Sequence, residues 1–132
     1  MNDTTQRSSD AAIALPGFRL DGRVALITGA SAGLGAAIGA AMAQAGAEVI
    51  LLARGREALD RVVADITAAG GKARAIVCDA TDRAALRAHI AALPRLDILV
   101  NNTGTNFPEP IAEVRDEHLD TMIDLNIRTI VV

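Results

Sequence analysis

The stretch Thr28-Gly29-Ala30-Ser31-Ala32-Gly33-Leu34-Gly35 has the residue types of a phosphate cradle. Glycine lets the main chain turn tightly and approach a pyrophosphate without a side-chain clash. A helix that opens directly after such a turn adds free N–H groups and a partial positive charge. Glycine-rich turns also occur with no ligand, so the flanks decide. The apolar, branched run Val24–Thr28 comes before, and Leu34, Ile38, Met42 and Ala45 follow at helical spacing. The segment therefore predicts a strand, a loop and a helix that hold a dinucleotide pyrophosphate, with Gly29, Ser31, Ala32, Gly33, Leu34 and Gly35 as its cofactor-binding residues.

A second group of residues bears on which dinucleotide. The next apolar run, Glu48–Ala53, ends at Ala53-Arg54. A carboxylate at this point, roughly 20 residues after the glycines, would accept hydrogen bonds from the 2′-hydroxyl of NAD. Ala53 fills that position and Arg54 follows. A guanidinium pairs with a 2′-phosphate through two parallel bonds, and Ser31 can add a hydroxyl. Arg54 and Ser31 thus favour NADP(H) over NAD(H). The bland reading of Arg54 is a solvated arginine that opens the next helix. Glu57 stands too far along that helix to serve the ribose.

These residues need a frame, and the hydropathy pattern supplies one. Strands are expected near 24–28, 48–53, 74–78 and 97–101. Between them, Leu59, Val62, Ile66 and Ala69 mark a second helix that stops at Gly70-Gly71. Leu86, Ile90 and Leu93 mark a third, capped by Thr81 or Asp82 and ended by Pro94. A last helix is expected from about Arg115 through Leu119, Met122, Ile123, Ile127 and Ile130, with part of its apolar face covering the sheet and Asn126 on that face. Apolar strands that alternate with amphipathic helices imply an α/β fold, a Rossmann-type doubly wound parallel sheet covered on both faces. Its expected strand order is 3-2-1-4, with later strands missing.

The spacing of the first motif, T-G-x-x-x-G-x-G, resembles that of the short-chain dehydrogenase/reductase family. Cys78-Asp79-Ala80-Thr81-Asp82 resembles the family's segment after the third strand, which implies that Asp79 and the Ala80 N–H meet the adenine. Asn101-Asn102-Thr103-Gly104 is similar to the family's N-N-A-G, with Thr103 in place of the usual alanine. From the residues alone, Asp79 is equally a loop or cap residue, and the asparagines can pin strand ends. We read Asn101 as such a pin, and Asn102, Thr103 and Gly104 as the lining of a cofactor ribose. Asn126 matches the family's helix asparagine, which implies a supporting catalytic role through a water to a lysine. The resemblance spans about Leu20 to Val132. It implies an NADP-preferring oxidoreductase that exchanges carbonyl and alcohol by hydride transfer, with this chain as its cofactor-binding half. The likeness to 3-oxoacyl carrier-protein reductases and sugar-acid dehydrogenases is general, so the carbonyl or alcohol substrate stays unspecified. The resemblance also implies a homodimer or homotetramer when complete.

The family's proton donor is a tyrosine tuned by a lysine, with a serine beside it. This chain has no Tyr, its one lysine is Lys72 before the third strand, and its serines are Ser8, Ser9 and Ser31. The 132 residues alone are therefore expected to be inactive. The pattern stops inside the last helix at Val131-Val132, which points to a truncated piece; a catalytically silent dinucleotide- or partner-binding fragment is the alternative. Residues 1–18 read as a flexible leader and 19–132 as one domain. The net charge of −3 holds no block of one sign, and two Phe with no Tyr or Trp offer no platform for bases, so nucleic acid is not expected. No apolar run approaches the roughly 20 residues of a membrane helix, and no signal peptide is recognisable. Cys78 and two scattered histidines give no metal site and no disulfide, which favours the cytoplasm. Cys78 itself reads as a core residue, and His89 and His118, with no partner residues nearby in sequence, as surface or boundary residues.

Overall fold

The computed structural model describes residues 17–131. Of the expected leader only Gly17 and Phe18 fall within it; the rest lies outside the described residues. The elements run β1 (Val24–Thr28), α1 (Gly33–Gln44), β2 (Glu48–Ala53), α2 (Arg56–Ala68), β3 (Lys72–Val77), α3 (Arg83–Ala91) and β4 (Ile98–Val100). A 3-10 turn at Ile111–Glu113, α4 (Asp116–Ile123) and a π-helical turn at Asp124–Arg128 follow. All strand pairs are parallel and the sheet order is β3-β2-β1-β4, as the pattern predicts.

The two central strands explain the continuous apolar runs. Successive side chains of a strand point to opposite faces. Ala25, Ile27, Val49 and Leu51 pack on one face with Ala43 of α1 and with Leu59 and Ile66 of α2. Leu26, Ile50 and Leu52 pack on the other with Ile76 and with Leu86 of α3. Both faces are dry, so neither phase of the alternation can be polar. Each fully buried leucine or isoleucine contributes about 1.5–3 kcal/mol. That makes β1 and β2 the anchor of everything held at their ends.

Element ends depart from the pattern for identifiable reasons. β3 starts at Lys72, before the expected 74, because β2 supplies a partner for it from Glu48 onward. β4 is trimmed at both ends. The Val24 N–H goes to the Asp97 carboxylate at 2.8 Å, and the Asn102 N–H goes to the Thr28 hydroxyl at 3.0 Å. Side chains thus take the bonds that would have extended the ladder. Asp82, rather than Thr81, caps α3 by accepting from the Ala85 N–H at 3.0 Å.

The last helix differs most. Its α-helical part ends at Ile123, and the Thr129 N–H then reaches back to the Asp124 carbonyl, a π-type bond. The expected apolar face does not cover the sheet: α4 buries no residue, and Leu119, Ile127 and Ile130 are exposed. Asn126 is likewise exposed, not set in an apolar face.

Candidate functional site

Four parallel strands end on one side of the sheet, and the chain leaves β1 toward β2 but returns from β3 to β4. Such a switch point opens a crevice beyond the strand ends. Here it is a cleft of about 700 Å³. Gly29 and Ser31 line it after β1, Arg54 and Gly55 after β2, and Asp79 and Ala80 after β3. After β4 come Asn102, Thr103, Gly104 and Thr105. Sequence positions 29 to 104 are thus gathered into one concavity, and eight of the expected site residues line it.

The hub beside the cleft is Thr28, for which nothing in the sequence signalled a role. Its side chain is buried at the last position of β1. Its hydroxyl accepts from the N–H groups of Asn102 (3.0 Å) and Thr103 (3.1 Å) and donates to the Val100 carbonyl (3.4 Å). The Asn102 amide donates to the carbonyls of Thr28 (3.2 Å) and Gly29 (3.1 Å). The pinning role expected of Asn101 is therefore corrected, while Asn102 still lines the cleft. Asn102 pins the strand ends, because its side chain faces the β1 loop, whereas Asn101 is exposed and forms no hydrogen bond with the described residues.

The glycine loop divides into two jobs. Gly29 has φ +64°, the left-handed region. Gly35 is a packing glycine: a Cβ there would overlap the Gly29 carbonyl and sit 2.6 Å from the Asn102 amide. Ala32 is the N-cap of α1 and offers no side-chain cap, so the first-turn N–H groups are uncapped. Gly33 faces open space and Leu34 is 70% exposed. Ala32, Gly33, Leu34 and Gly35 stand at the helix start and do not line the cleft itself.

Arg54 is exposed and forms no ion pair or hydrogen bond among the described residues. Asp79 keeps its carboxyl below the usual range, chiefly because the Thr81 N–H (2.9 Å) and hydroxyl (2.7 Å) donate to it, with the Arg54 charge adding to this. One Asp79 oxygen is thus committed to its own turn while the residue still lines the cleft. Cys78 is buried, as expected of a core residue, and burial first, then the Asp82 and Asp79 charges, push its thiol up.

Asn126 clamps the far rim. Its Oδ1 accepts from the Thr105 N–H (2.8 Å) and its Nδ2 donates to the Thr105 carbonyl (2.9 Å), as a neighbouring strand would. A Cβ on Gly104 would lie 2.9 Å from that Oδ1. The close approach that Gly104 permits is therefore to Asn126. Leu125 lines the cleft beside it, which no pattern in the sequence signalled.

Outside the cleft, His118 is half-buried, as a boundary residue would be, and meets the segment before α4. It lies 2.8 Å from the Glu109 carboxylate and stacks on Phe107 with centroids 4.0 Å apart. Lys72 starts β3, at the end of the sheet opposite the cleft. Among the described residues no cluster of His, Cys, Asp or Glu has the form of a metal site, and no helix is long and apolar enough to cross a membrane.

Residues 23–132 match the family model for short chain dehydrogenases, and the chain belongs to that oxidoreductase family. It is 40% identical over 118 residues to a 2-dehydro-3-deoxy-D-gluconate 5-dehydrogenase of Pseudoalteromonas atlantica, covering 85% of this chain and 46% of that protein. A metagenomic short-chain oxidoreductase solved with NADP superposes with a TM-score of 0.76 at 40% identity, covering 83% of this chain and 52% of that one. A 3-oxoacyl (acyl-carrier-protein) reductase from Agrobacterium tumefaciens with NADP bound gives 0.80 at 33% identity, covering 86% and 45%. The chain spans about half the length of the curated relatives it matches.

Proposed function

We propose that the cleft binds NADP(H) and that this chain is the cofactor-binding half of an oxidoreductase acting on a carbonyl or alcohol. The carrying observation is the cleft that joins the glycine loop to Arg54, which has no ion-pair or hydrogen-bond partner among the described residues. Gly29 and the uncapped start of α1 suit a pyrophosphate; Gly33, in open space, leaves room for one. Arg54 and Ser31 suit the 2′-phosphate, and Ala53 leaves no acid to favour the 2′-hydroxyl of NAD. Asp79 and Ala80 stand where the adenine would lie, and Asn102, Thr103 and Gly104 border the other ribose. Ala32, Leu34 and Gly35 complete the turn that aims the helix start. When bound, the nicotinamide supplies the hydride. The chain's own residues bind and orient the cofactor; Asn126 is a positioning residue through Thr105. Two solved relatives hold NADP, which supports the choice of cofactor. We place the protein in the cytoplasm, where Cys78 stays a thiol.

A second reading is a catalytically silent binding fragment. It is favoured by the absence of tyrosine and by Lys72 at the wrong end of the sheet. Both readings share the cofactor test. NADPH should bind more tightly than NADH, and Arg54→Asp should weaken NADPH by about 1.5–3 kcal/mol while sparing NADH. An unchanged preference in the variant would remove Arg54 from the site. Turnover separates the two readings. The 132 residues alone should reduce no carbonyl, since positioned acid catalysis, worth about 10²–10⁴-fold, has no donor here. NADPH oxidation that follows the purified 132-residue chain would overturn that expectation.

A further inference from the structure

We infer that the side-chain hydroxyls of Thr103 and Thr105 form a polar pair that binds the nicotinamide nucleoside end of the cofactor. The inference rests on the NADP(H) reading above and names a recognition element within it.

The argument starts from how this chain uses its threonines. Seven lie among the described residues. Five have hydroxyl partners. Thr28 serves the β1–β4 junction, and Thr81 bonds Asp79. Thr67, Thr121 and Thr129 each donate to a carbonyl four residues back. Thr103 and Thr105 form no side-chain hydrogen bond with the described residues, and both line the cleft. A threonine with a carbonyl in reach ordinarily uses it. Two idle hydroxyls at one rim are therefore available to something that enters the cleft.

The main chain at both positions is already held. The Thr103 N–H is bonded to Thr28, and both polar backbone groups of Thr105 are bonded to Asn126. With these groups committed, the two hydroxyls add polarity at the rim beside the Thr103 carbonyl and the Gly104 peptide groups, which are bonded to no described residue. Threonine has one heavy-atom side-chain torsion, stiffened by its β-branch, so the hydroxyls lose little freedom on binding.

Topology assigns the ligand's end. Arg54 follows β2 and Asp79 follows β3, so the 2′-phosphate and adenine occupy that side of the sheet. The glycine loop follows β1 in the middle. An extended dinucleotide crossing it must place its second nucleoside over the end of β4, where Thr103 and Thr105 stand. That nucleoside presents ribose hydroxyls and a carboxamide, all able to pair with a hydroxyl.

The test compares two ligands on the polypeptide the gene encodes. NADPH has both nucleoside ends; adenosine 2′,5′-bisphosphate keeps the 2′-phosphate end and lacks the second ribose and the nicotinamide. Thr103→Ala and Thr105→Val should each weaken NADPH by about three- to tenfold, the range of one neutral hydrogen bond. Neither should alter binding of the bisphosphate, and Thr103→Ser and Thr105→Ser should restore NADPH affinity. Arg54→Asp should weaken both ligands. Unchanged NADPH affinity in both threonine variants, with the Arg54 effect intact, overturns this inference alone. Equal loss of both ligands also overturns it, because the effect would then not lie at the nicotinamide end. If the unsubstituted protein binds neither ligand, the NADP(H) reading fails and this inference falls with it.

Discussion

Thr28 shows how much one hydroxyl can organise. It is the only polar residue with a buried side chain among the described residues, 7% exposed, and it closes the gap where the parallel ladder between β1 and β4 gives out. Thr28→Val keeps the shape and deletes the bonds. The N–H groups of Asn102 and Thr103 would lose their acceptor, and an unsatisfied buried donor costs about 1–3 kcal/mol. We expect Thr28→Val to lower unfolding stability in urea by roughly 2–3 kcal/mol, and Thr28→Ser to recover most of it. A valine variant as stable as the parent would mean that these donors find other partners.

At the scale of elements, the sheet is fastened at its two ends by different chemistry. Side chains and glycines hold the cleft end. Charge holds the opposite end, where the Asp97 carboxylate takes the Val24 N–H at 2.8 Å and pairs with Arg95 and Arg23. The Arg95 hydrogen bond most of all, then the Val24 N–H, keep the Asp97 carboxyl below its usual range, with Arg23 adding to this. A carboxyl lowered in the folded state stabilises fully above its unfolded value of about 4 and loses that contribution as pH falls toward the lowered value. Stability should therefore fall with acid in that window, and Asp97→Asn should flatten this part of the curve. Urea midpoints across the acid range, parent against variant, decide it; parallel curves would mean that Asp97 contributes nothing there.

Considered whole, the molecule is dense on one side of the sheet's midline and bare on the other. β1 and β2 are covered on both faces, while Leu99 of β4 is 49% exposed and Ile111 beyond it 95%. Leu119, Ile127 and Ile130, which follow β4 in the chain, add further exposed apolar side chains. We expect the encoded polypeptide to assemble as homodimers or homotetramers, read by sedimentation. A concentration-independent monomer would count against this.

The βαβ frame, the 3-2-1-4 order and the glycine loop were legible in the sequence. Alternation, helical spacing and glycine placement are local signals, and buried parallel strands amplify them. Arg54, Asp79 and the Asn102–Gly104 stretch were legible as lining residues for the same reason: each directly follows a strand. Tertiary structure decided the rest. That Asn102 rather than Asn101 pins the strands depends on which side chain faces β1. That Gly35 answers to Asn102, and Gly104 to Asn126, depends on segments distant in sequence meeting within a few ångströms. The trimmed ends of β4 arise likewise, because the Asp97 carboxylate and the Thr28 hydroxyl take backbone groups that periodicity alone assigns elsewhere. Periodicity records which residues avoid water, whereas hydrogen bonds between distant segments exist only once the chain has folded.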